Sequence, residues 1–314
     1  MPKGTTIITD AQNRPRGGSA QGATQRAATP DIAIIIPHYN DAVRLERCLA
    51  ALMQNDLSGC EILVVDNGSP QSLAQVEAAF PDIRFVCEPE KGAAAARNRG
   101  VAESCAQQLM FIDADCLPAP DWVAVGRAVA GRADLVGGRV EVFDETPPPR
   151  SGAEAFEAVF AFDFRHYIEV QGFSGTGNLI TRRDVFADVG PFRGGVSEDR
   201  DWSFRATAKG YSLVYEDQLR VGHPSRQDWP ALRGKWRRIM QEMFGQTGGG
   251  AGARLKWALK GLMMPPSILA HLPKIWRSPA LASSGDRMRA AGTLIRLRLL
   301  RMVWMLRQAA GLGI

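Results

Sequence analysis

Three short runs of uninterrupted apolar residues, each ending abruptly in polar ones, constrain this chain more than any other feature. Ile32-Ala33-Ile34-Ile35-Ile36 stops at Pro37-His38-Tyr39-Asn40, and Ile62-Leu63-Val64-Val65 stops at Asp66-Asn67-Gly68-Ser69-Pro70. Leu109-Met110-Phe111-Ile112 stops at Asp113-Ala114-Asp115-Cys116, with Leu117-Pro118 just beyond. Apolar runs of this length bounded by proline and glycine read as strands buried on both faces. The intervening segments have helical patterns. Val43, Leu45, Cys48, Leu49 and Leu52 are spaced for one helix over 41–55, and a further helix signal runs to Phe80. A short strand is expected over 83–87 and an alanine-rich helix over 92–108. Strands alternating with helices predict an α/β protein whose mostly parallel sheet is flanked by helices. Ligands of such sheets bind outside the carboxyl ends of the strands. The three polar clusters are therefore expected on one rim.

In extended backbone, side chains two residues apart point the same way, so Asp113 and Asp115 can converge on one point. Paired hard oxygen donors suit a divalent cation of the magnesium or manganese type. No Gly-x-Gly-x-x-Gly follows the first strand and the chain has no Gly-x-x-x-x-Gly-Lys-Ser/Thr, which argues against dinucleotide and P-loop sites. The rim offers carboxylates instead of a glycine cradle. A phosphate here would need a cation between itself and the two aspartates.

Past residue 131 the pattern changes. A strand with a Gly137-Gly138 interruption is expected over 135–143, then the loop Thr146-Pro147-Pro148-Pro149 and an aromatic-rich helix over 156–168. Gly172-Phe173-Ser174-Gly175-Thr176-Gly177-Asn178 leads into Leu179-Ile180-Thr181 and a short helix over 182–189. Gly190-Pro191-Phe192 turns the chain, and Ser197 can cap a helix opening at Glu198.

Taken in order, these motifs resemble those of the inverting family 2 glycosyltransferases of bacterial type, which have a GT-A fold. The matching residues are Ile36-Pro37-His38-Tyr39-Asn40, Val64-Val65-Asp66-Asn67-Gly68-Ser69, Lys91-Gly92 with Ala96-Arg97-Asn98, and Asp113-Ala114-Asp115. They continue through Gly175-Thr176-Gly177-Asn178, Gly190-Pro191-Phe192 and Glu198-Asp199-Arg200-Asp201-Trp202 to His223. Each motif is weak alone; the ordered set is specific and covers roughly 31–225.

The resemblance implies a nucleotide-diphosphate sugar as donor and a divalent metal, Mn2+ or Mg2+, as cofactor. It assigns Asp115 and His223 to the metal and Asp199 to the general base. Pro37, Tyr39, Asn40, Asp66, Arg97, Asp113 and Ala114 would bind the donor. Gly177, Asn178, Glu198 and Trp202 would meet the acceptor, although Trp202 is equally plausible as a core anchor. The chemistry agrees with these types. A departing nucleoside diphosphate builds negative charge that a cation can stabilise as a Lewis acid. A carboxylate must still take the acceptor proton, and in-line displacement then inverts the anomeric centre. His38 departs from the small or β-branched residue usual at its position. Gln227-Asp228-Trp229 and Lys235-Trp236 do not reproduce the Gln-x-x-Arg-Trp of processive relatives, so transfer of a single sugar to a glycan or lipid-linked acceptor is expected, as in polysaccharide biosynthesis.

Charge divides the chain unevenly. Residues 231–314 hold 15 Lys and Arg against 2 acids, whereas 1–230 hold 23 against 31. Leu232, Trp236, Ile239 and Met243 are spaced for one helical face, a glycine-rich hinge spans 246–253, and Ile295, Leu299, Met302, Val303 and Leu306 share a second arc. Basic amphipathic segments of this kind suit an anionic membrane surface, or else pack on the catalytic domain. The organisation expected is a flexible tail over 1–30, a glycosyltransferase domain over 31–228 and a basic helical extension over 229–314. The tail shows no signal-peptide pattern, no stretch approaches ~18 uninterrupted apolar residues, and five dispersed cysteines fit a reduced compartment. These point to the cytoplasm, peripherally on the cytoplasmic face of the inner membrane. No nucleic-acid module is recognised. Two rival readings stand beside this one. A nucleotidyltransferase acting on a sugar phosphate would want a glycine-rich loop after the first strand, and a non-catalytic carbohydrate-binding relative would be expected to lose Asp115 or Asp199.

Overall fold

The computed structural model describes residues 30–314, so the tail expected over 1–30 lies outside the described residues except for Pro30. The first half alternates strand and helix: β1 (Ile32–His38), α1 (Ala42–Leu52), β2 (Cys60–Asp66), α2 (Ala74–Ala79), β3 (Arg84–Cys87), α3 (Ala93–Glu103), β4 (Gln108–Ile112), β5 (Leu117–Pro118) and α4 (Trp122–Val129). Then come β6 (Leu135–Phe143), α5 (Gly152–Phe160), α6 (Phe164–Glu169), β7 (Asn178–Arg182), α7 (Arg183–Val189), α8 (Glu198–Ala208) and β8 (Leu213–Pro224). Four helices close the chain: α9 (Trp229–Gly245), α10 (Ala251–Leu262), α11 (Pro266–Arg277) and α12 (Ser284–Ala309).

The strands form one sheet in the order β3-β2-β1-β4-β7-β6-β8-β5. It is mixed: β1, β2, β3 and β4 run parallel, as do β6 and β8, while β7 is antiparallel to β4 and β6, and β5 to β8. Ile32, Ile34 and Ile36 of β1 pack on the layer of α1, α4 and α6; Ala33 and Ile35 pack on that of α3, α7 and α8. Burial on both faces explains why β1 reads as a continuous apolar run. Because β6 and β8 point the same way as β1, their ends at Phe143 and Pro224 reach the same rim as His38, Asp66 and Asp113.

Three expected helices are shorter in the structure, the one expected over 41–55 spanning only Ala42–Leu52. The alanine-rich helix ends at Glu103, because Ser104 is extended and its hydroxyl donates to Glu61 while accepting from the Ala106 N–H. The helix expected over 156–168 is broken into α5 and α6 at Ala161–Asp163, where Phe162 takes a positive φ of 54°. The Gly137-Gly138 interruption is where Ser174 and Asn178 press on the β6 backbone, leaving no room for a Cβ.

The basic C-terminal region is helical and packs on the body through α5. Ala153, Phe156, Leu232, Ile275, Leu294 and Leu297 form one apolar cluster. The face of α9 expected to dip into a membrane turns inward instead: Leu232 is buried, and Trp236, Ile239 and Met243 pack against Met240, Trp257 and Trp304. Helical period shows that a face is apolar, not which neighbour it covers. On α12 the buried positions are Leu294, Leu297, Trp304 and Met305, while Ile295, Leu299 and Val303 are exposed. Leu297→Ala should therefore cost about 2–5 kcal/mol, and Leu299→Ala less than about 0.5 kcal/mol, read by chemical denaturation of the two variants against the parent.

Candidate functional site

The end of β1 positions the first group. The Asp41 N–H donates to His38 Nε2 at 3.1 Å, which leaves the proton on Nδ1 to donate to Asp66 Oδ1 at 2.9 Å. The Ser69 hydroxyl donates to the same carboxylate, whose other oxygen accepts from the Ser69 N–H at 3.1 Å. Burial pushes the Asp66 carboxyl up, but the bonds from Ser69 and His38 outweigh it and hold it below the ordinary value. His38 thus orients Asp66, a role in keeping with its departure from the usual residue. Asn40 adopts a left-handed φ of 52° and its N–H donates to Ser69. Asn67 is structural: its amide donates to the carbonyls of Glu88 and Glu90 and accepts from the Gly92 N–H, securing the turn into α3.

Arg97, 4% exposed, reaches from α3 to two acids. Its guanidinium donates to Asp113 Oδ1 at 2.6 Å and to Glu198 Oε1 at 2.9 Å. Burial alone would lower its pKa; Asp113 and Glu198 reverse that and keep it charged. Gly177 lies against Asp113, where an added Cβ would meet Oδ2 at 2.8 Å. A glycine is needed there for the loop to pass the carboxylate.

Asp115 faces His223, with Oδ2 and Nε2 3.5 Å apart. His223 Nδ1 lies 2.8 Å from the Pro224 carbonyl and so carries a proton; burial, against the attraction of Asp115, lowers the pKa of the ring and favours the neutral form, with Nε2 unprotonated towards Asp115. This orientation is the one by which histidines ligate metals. Ligand atoms of Asp115, Cys116 and His223 lie within 4.8 Å of one another. Carboxylate oxygen with neutral imidazole fits a borderline or hard divalent ion; the Cys116 thiol, buried and beside two aspartates, is held strongly towards its protonated form.

Asp199 stands in the first turn of α8. Burial and then the neighbouring Glu198 charge raise its pKa from the ordinary 3.8 to about 6, against an opposing hydrogen bond from the Arg200 N–H and the attraction of Arg97. Ser197 precedes the helix, but its hydroxyl turns to Glu242 on α9 at 3.4 Å and makes no cap bond.

One cleft of about 910 Å³ gathers Pro37, Tyr39, Arg97, Asp113, Ala114, Asp115, Gly177, Glu198, Asp199 and His223 on its walls. Two expected acceptor residues are elsewhere. Trp202 is inaccessible, packed between Phe186 and Phe192 with its indole N–H donating to the Gly190 carbonyl. It is a core anchor and offers no face to a sugar. Asn178 is equally buried, accepting from the Trp122 indole and donating to the Arg139 and Leu219 carbonyls, so it clamps β7 to its neighbours. The cleft wall also includes Arg226, Lys235, Trp236 and Arg238, which sequence reading did not assign. A signal for Lys235 exists: Glu157 sits in an otherwise apolar stretch of α5, and its buried carboxylate pairs with Lys235 at 2.5 Å.

The family model for glycosyl transferase family 2 matches residues 33–190. The chain belongs to that family. It is 34% identical to the glycosyltransferase AglE of Haloferax volcanii over 66% of its length and 71% of the relative's. It is 28% identical to the pre-mycofactocin glycosyltransferase of Mycobacterium tuberculosis over 65% of its length, spanning 45% of that protein. Among solved structures, the mannosyltransferase PcManGT of Pyrobaculum calidifontis superposes with a TM-score of 0.53 at 17% identity, over 92% of this chain and 77% of that one. S. aureus TarS residues 1–349 give 0.50 at 15%, over 90% and 92%. At such identities the superpositions show the GT-A-like fold. The protein is thus a glycosyltransferase, and neither rival activity is favoured.

A carboxyl whose folded pKa lies above its unfolded one favours folding only while protonated. For Asp199 that contribution is complete below about pH 4 and lost as pH rises through about 6. Asp199→Asn should therefore raise stability by roughly 1–3 kcal/mol at pH 7.5 and leave it unchanged near pH 4, measured by denaturant titration at both pH values.

Proposed function

We propose that this glycosyltransferase moves one sugar from a nucleotide-diphosphate donor to a glycan or lipid-linked acceptor, with inversion, divalent-metal assistance and Asp199 as base. The observation that carries the reading is one cleft with Asp113 and Asp115 on the strand rim and Asp199 on the α8 wall. PcManGT is described in complex with GDP-Man and Mn2+, and TarS with UDP-GlcNAc, which supports a nucleotide-sugar donor here.

A cation between Asp115 and His223 would supply Lewis-acid stabilisation of the diphosphate. Asp113, held by Arg97, would orient the donor beside it, with Ala114 and the exposed Tyr39 along its path. Asn40 and Asp66 would bind the nucleotide at the outer rim. Arg226 lines the cleft, its backbone N–H donating to Glu157 while its guanidinium pairs with no carboxylate among the described residues, and it would add positive charge where the leaving group accumulates negative charge. On the other side, Asp199 would accept the proton of the acceptor hydroxyl. A pKa near 6 suits that task, because the group is ionised at neutral pH yet basic enough to take a proton. Gly177 and Glu198 would border the acceptor. Work at the cytoplasmic face of a membrane is part of the same proposal, with the domain ending near residue 228 and the basic helices beyond it as the membrane-facing part.

Screening UDP-, GDP- and dTDP-sugars for nucleotide release should find a donor whose turnover requires Mn2+ or Mg2+. Asp115→Ala and Asp199→Asn should each lower it by about 10²-fold or more. Equal release by the parent and both variants would overturn the mechanism. With the active donor, kcat/KM should fall about tenfold per pH unit below about pH 6 as Asp199 gains its proton, a limb absent from the residual activity of Asp199→Asn.

A further inference from the structure

Helices α10 and α12 each carry two apolar stripes on opposite sides. On α10, Trp257 and Gly261 face α12, where Gly261 lies against Met305. Leu255, Leu259 and Leu262, spaced four and three residues apart, are 61%, 54% and 52% exposed on the far side. On α12, Leu294, Leu297, Arg301, Trp304 and Met305 are buried, while Ile295, Leu299 and Val303, four apart, form an outward ridge. Helix α11 adds exposed Leu269 and Trp276, seven apart and so on one side. Large apolar side chains aligned at helical spacing and turned away from the core mark an interaction surface.

The charges beside these ridges define the partner. Of the 11 Lys and Arg between residues 251 and 309, only Arg289 has a carboxylate partner among the described residues, Asp286; Lys260, Lys274, Arg296 and the buried Arg301 lie over the Trp257, Phe160, Trp229 and Trp236 rings, and the others have neither partner. Lys256 and Lys260 lie on α10 within the turns that carry Leu255, Leu259 and Leu262. An apolar ridge with unpaired cations beside it is complementary to a lipid surface bearing anionic headgroups. No described helix is long and apolar enough to cross a membrane.

We propose that the outward ridges of α10 and α12 are the surface by which this protein docks on an anionic membrane, with the leucines among the acyl chains and the cations on the headgroups. The assignment rests on the membrane reading given above and replaces the inward-turned face of α9 with these helices as its contact. Because α9 joins them to the cleft through Trp236 and Arg238, docking would hold the acceptor side of the cleft near the bilayer.

The test uses the full chain and sedimentation with vesicles of phosphatidylcholine, alone or with about a third phosphatidylglycerol. The pairs Leu255→Glu with Leu259→Glu, and Leu299→Glu with Val303→Glu, are compared with the parent; Leu→Gln and Val→Thr versions serve if a glutamate pair fails to fold. The parent should bind the anionic vesicles and not the neutral ones. Each pair should weaken binding by about tenfold or more, with thermal midpoint and nucleotide release unchanged. Parent binding that neither pair weakens would overturn the ridge assignment and leave the peripheral reading standing. Failure of the parent to bind anionic vesicles would overturn both. A parent that elutes as a dimer, with variants that elute as monomers, would assign the ridges to a second copy of the chain and overturn the proposal.

Discussion

The Arg97 guanidinium is the contact on which the site depends. Of the carboxylates that line the cleft, four, those of Asp113, Asp115, Glu198 and Asp199, belong to the β4 end and the α8 N-terminus. Left to themselves they would repel, and the β4 end and the α8 N-terminus would splay apart. Arg97 is nearly inaccessible and bonds one acid from each element. Its own desolvation is offset because both partners are present, so removing either acid weakens the pairing of a buried guanidinium, and removing Arg97 leaves two partly exposed carboxylates facing each other without a cation. The arrangement also separates the carboxylates by task. Asp113 and Glu198 are tied to a cation, whereas Asp199 gains little from it and remains proton-binding near pH 6.

The basic helices belong to the same architecture as the cleft. Helix α9 covers its far wall with Trp236, Lys235 and Arg238, and Lys235 is fixed there by Glu157 of α5 and lies over the Phe162 ring. A buried Lys–Glu pair adds little net stability compared with apolar packing. It does tie α9 to α5 at the cleft wall that both helices line. The basic C-terminal region therefore contributes part of the cleft wall itself, on the side where the acceptor is proposed to enter.

How much of this was legible in the sequence follows from what each pattern encodes. The buried strands were plain because burial on both faces leaves only apolar residues, and polar clusters at their ends had to fall on one rim. Asp113, Asp115, Arg97, Asp199 and His223 reach one cleft by that logic together with the motif order. Trp202 and Asn178 did not follow, because a motif records residue identity and not the direction of a side chain. Their neighbours Asp199 and Gly177 face the cleft while they face the core. Which of the two expected partners the α9 face meets was not legible for a related reason: amphipathic spacing is the same whether the apolar side meets lipid or Trp257 and Trp304. Lys235 and Glu157 lie on different helices and 78 residues apart; Glu157 stands out as a charge in apolar company, but Lys235 is one of several cations in 233–238, and only the fold joins them.

Asp115 on the strand rim and His223 late in the chain would together hold a divalent cation, which would supply Lewis-acid chemistry opposite Asp199. Anomalous diffraction from crystals grown with Mn2+ and a nucleoside diphosphate tests it most directly. The account predicts one manganese peak bonded to Asp115 and His223 Nε2, with diphosphate oxygens completing its shell. A nucleotide seated in the cleft with no manganese between it and Asp115, or with manganese held elsewhere, would contradict it.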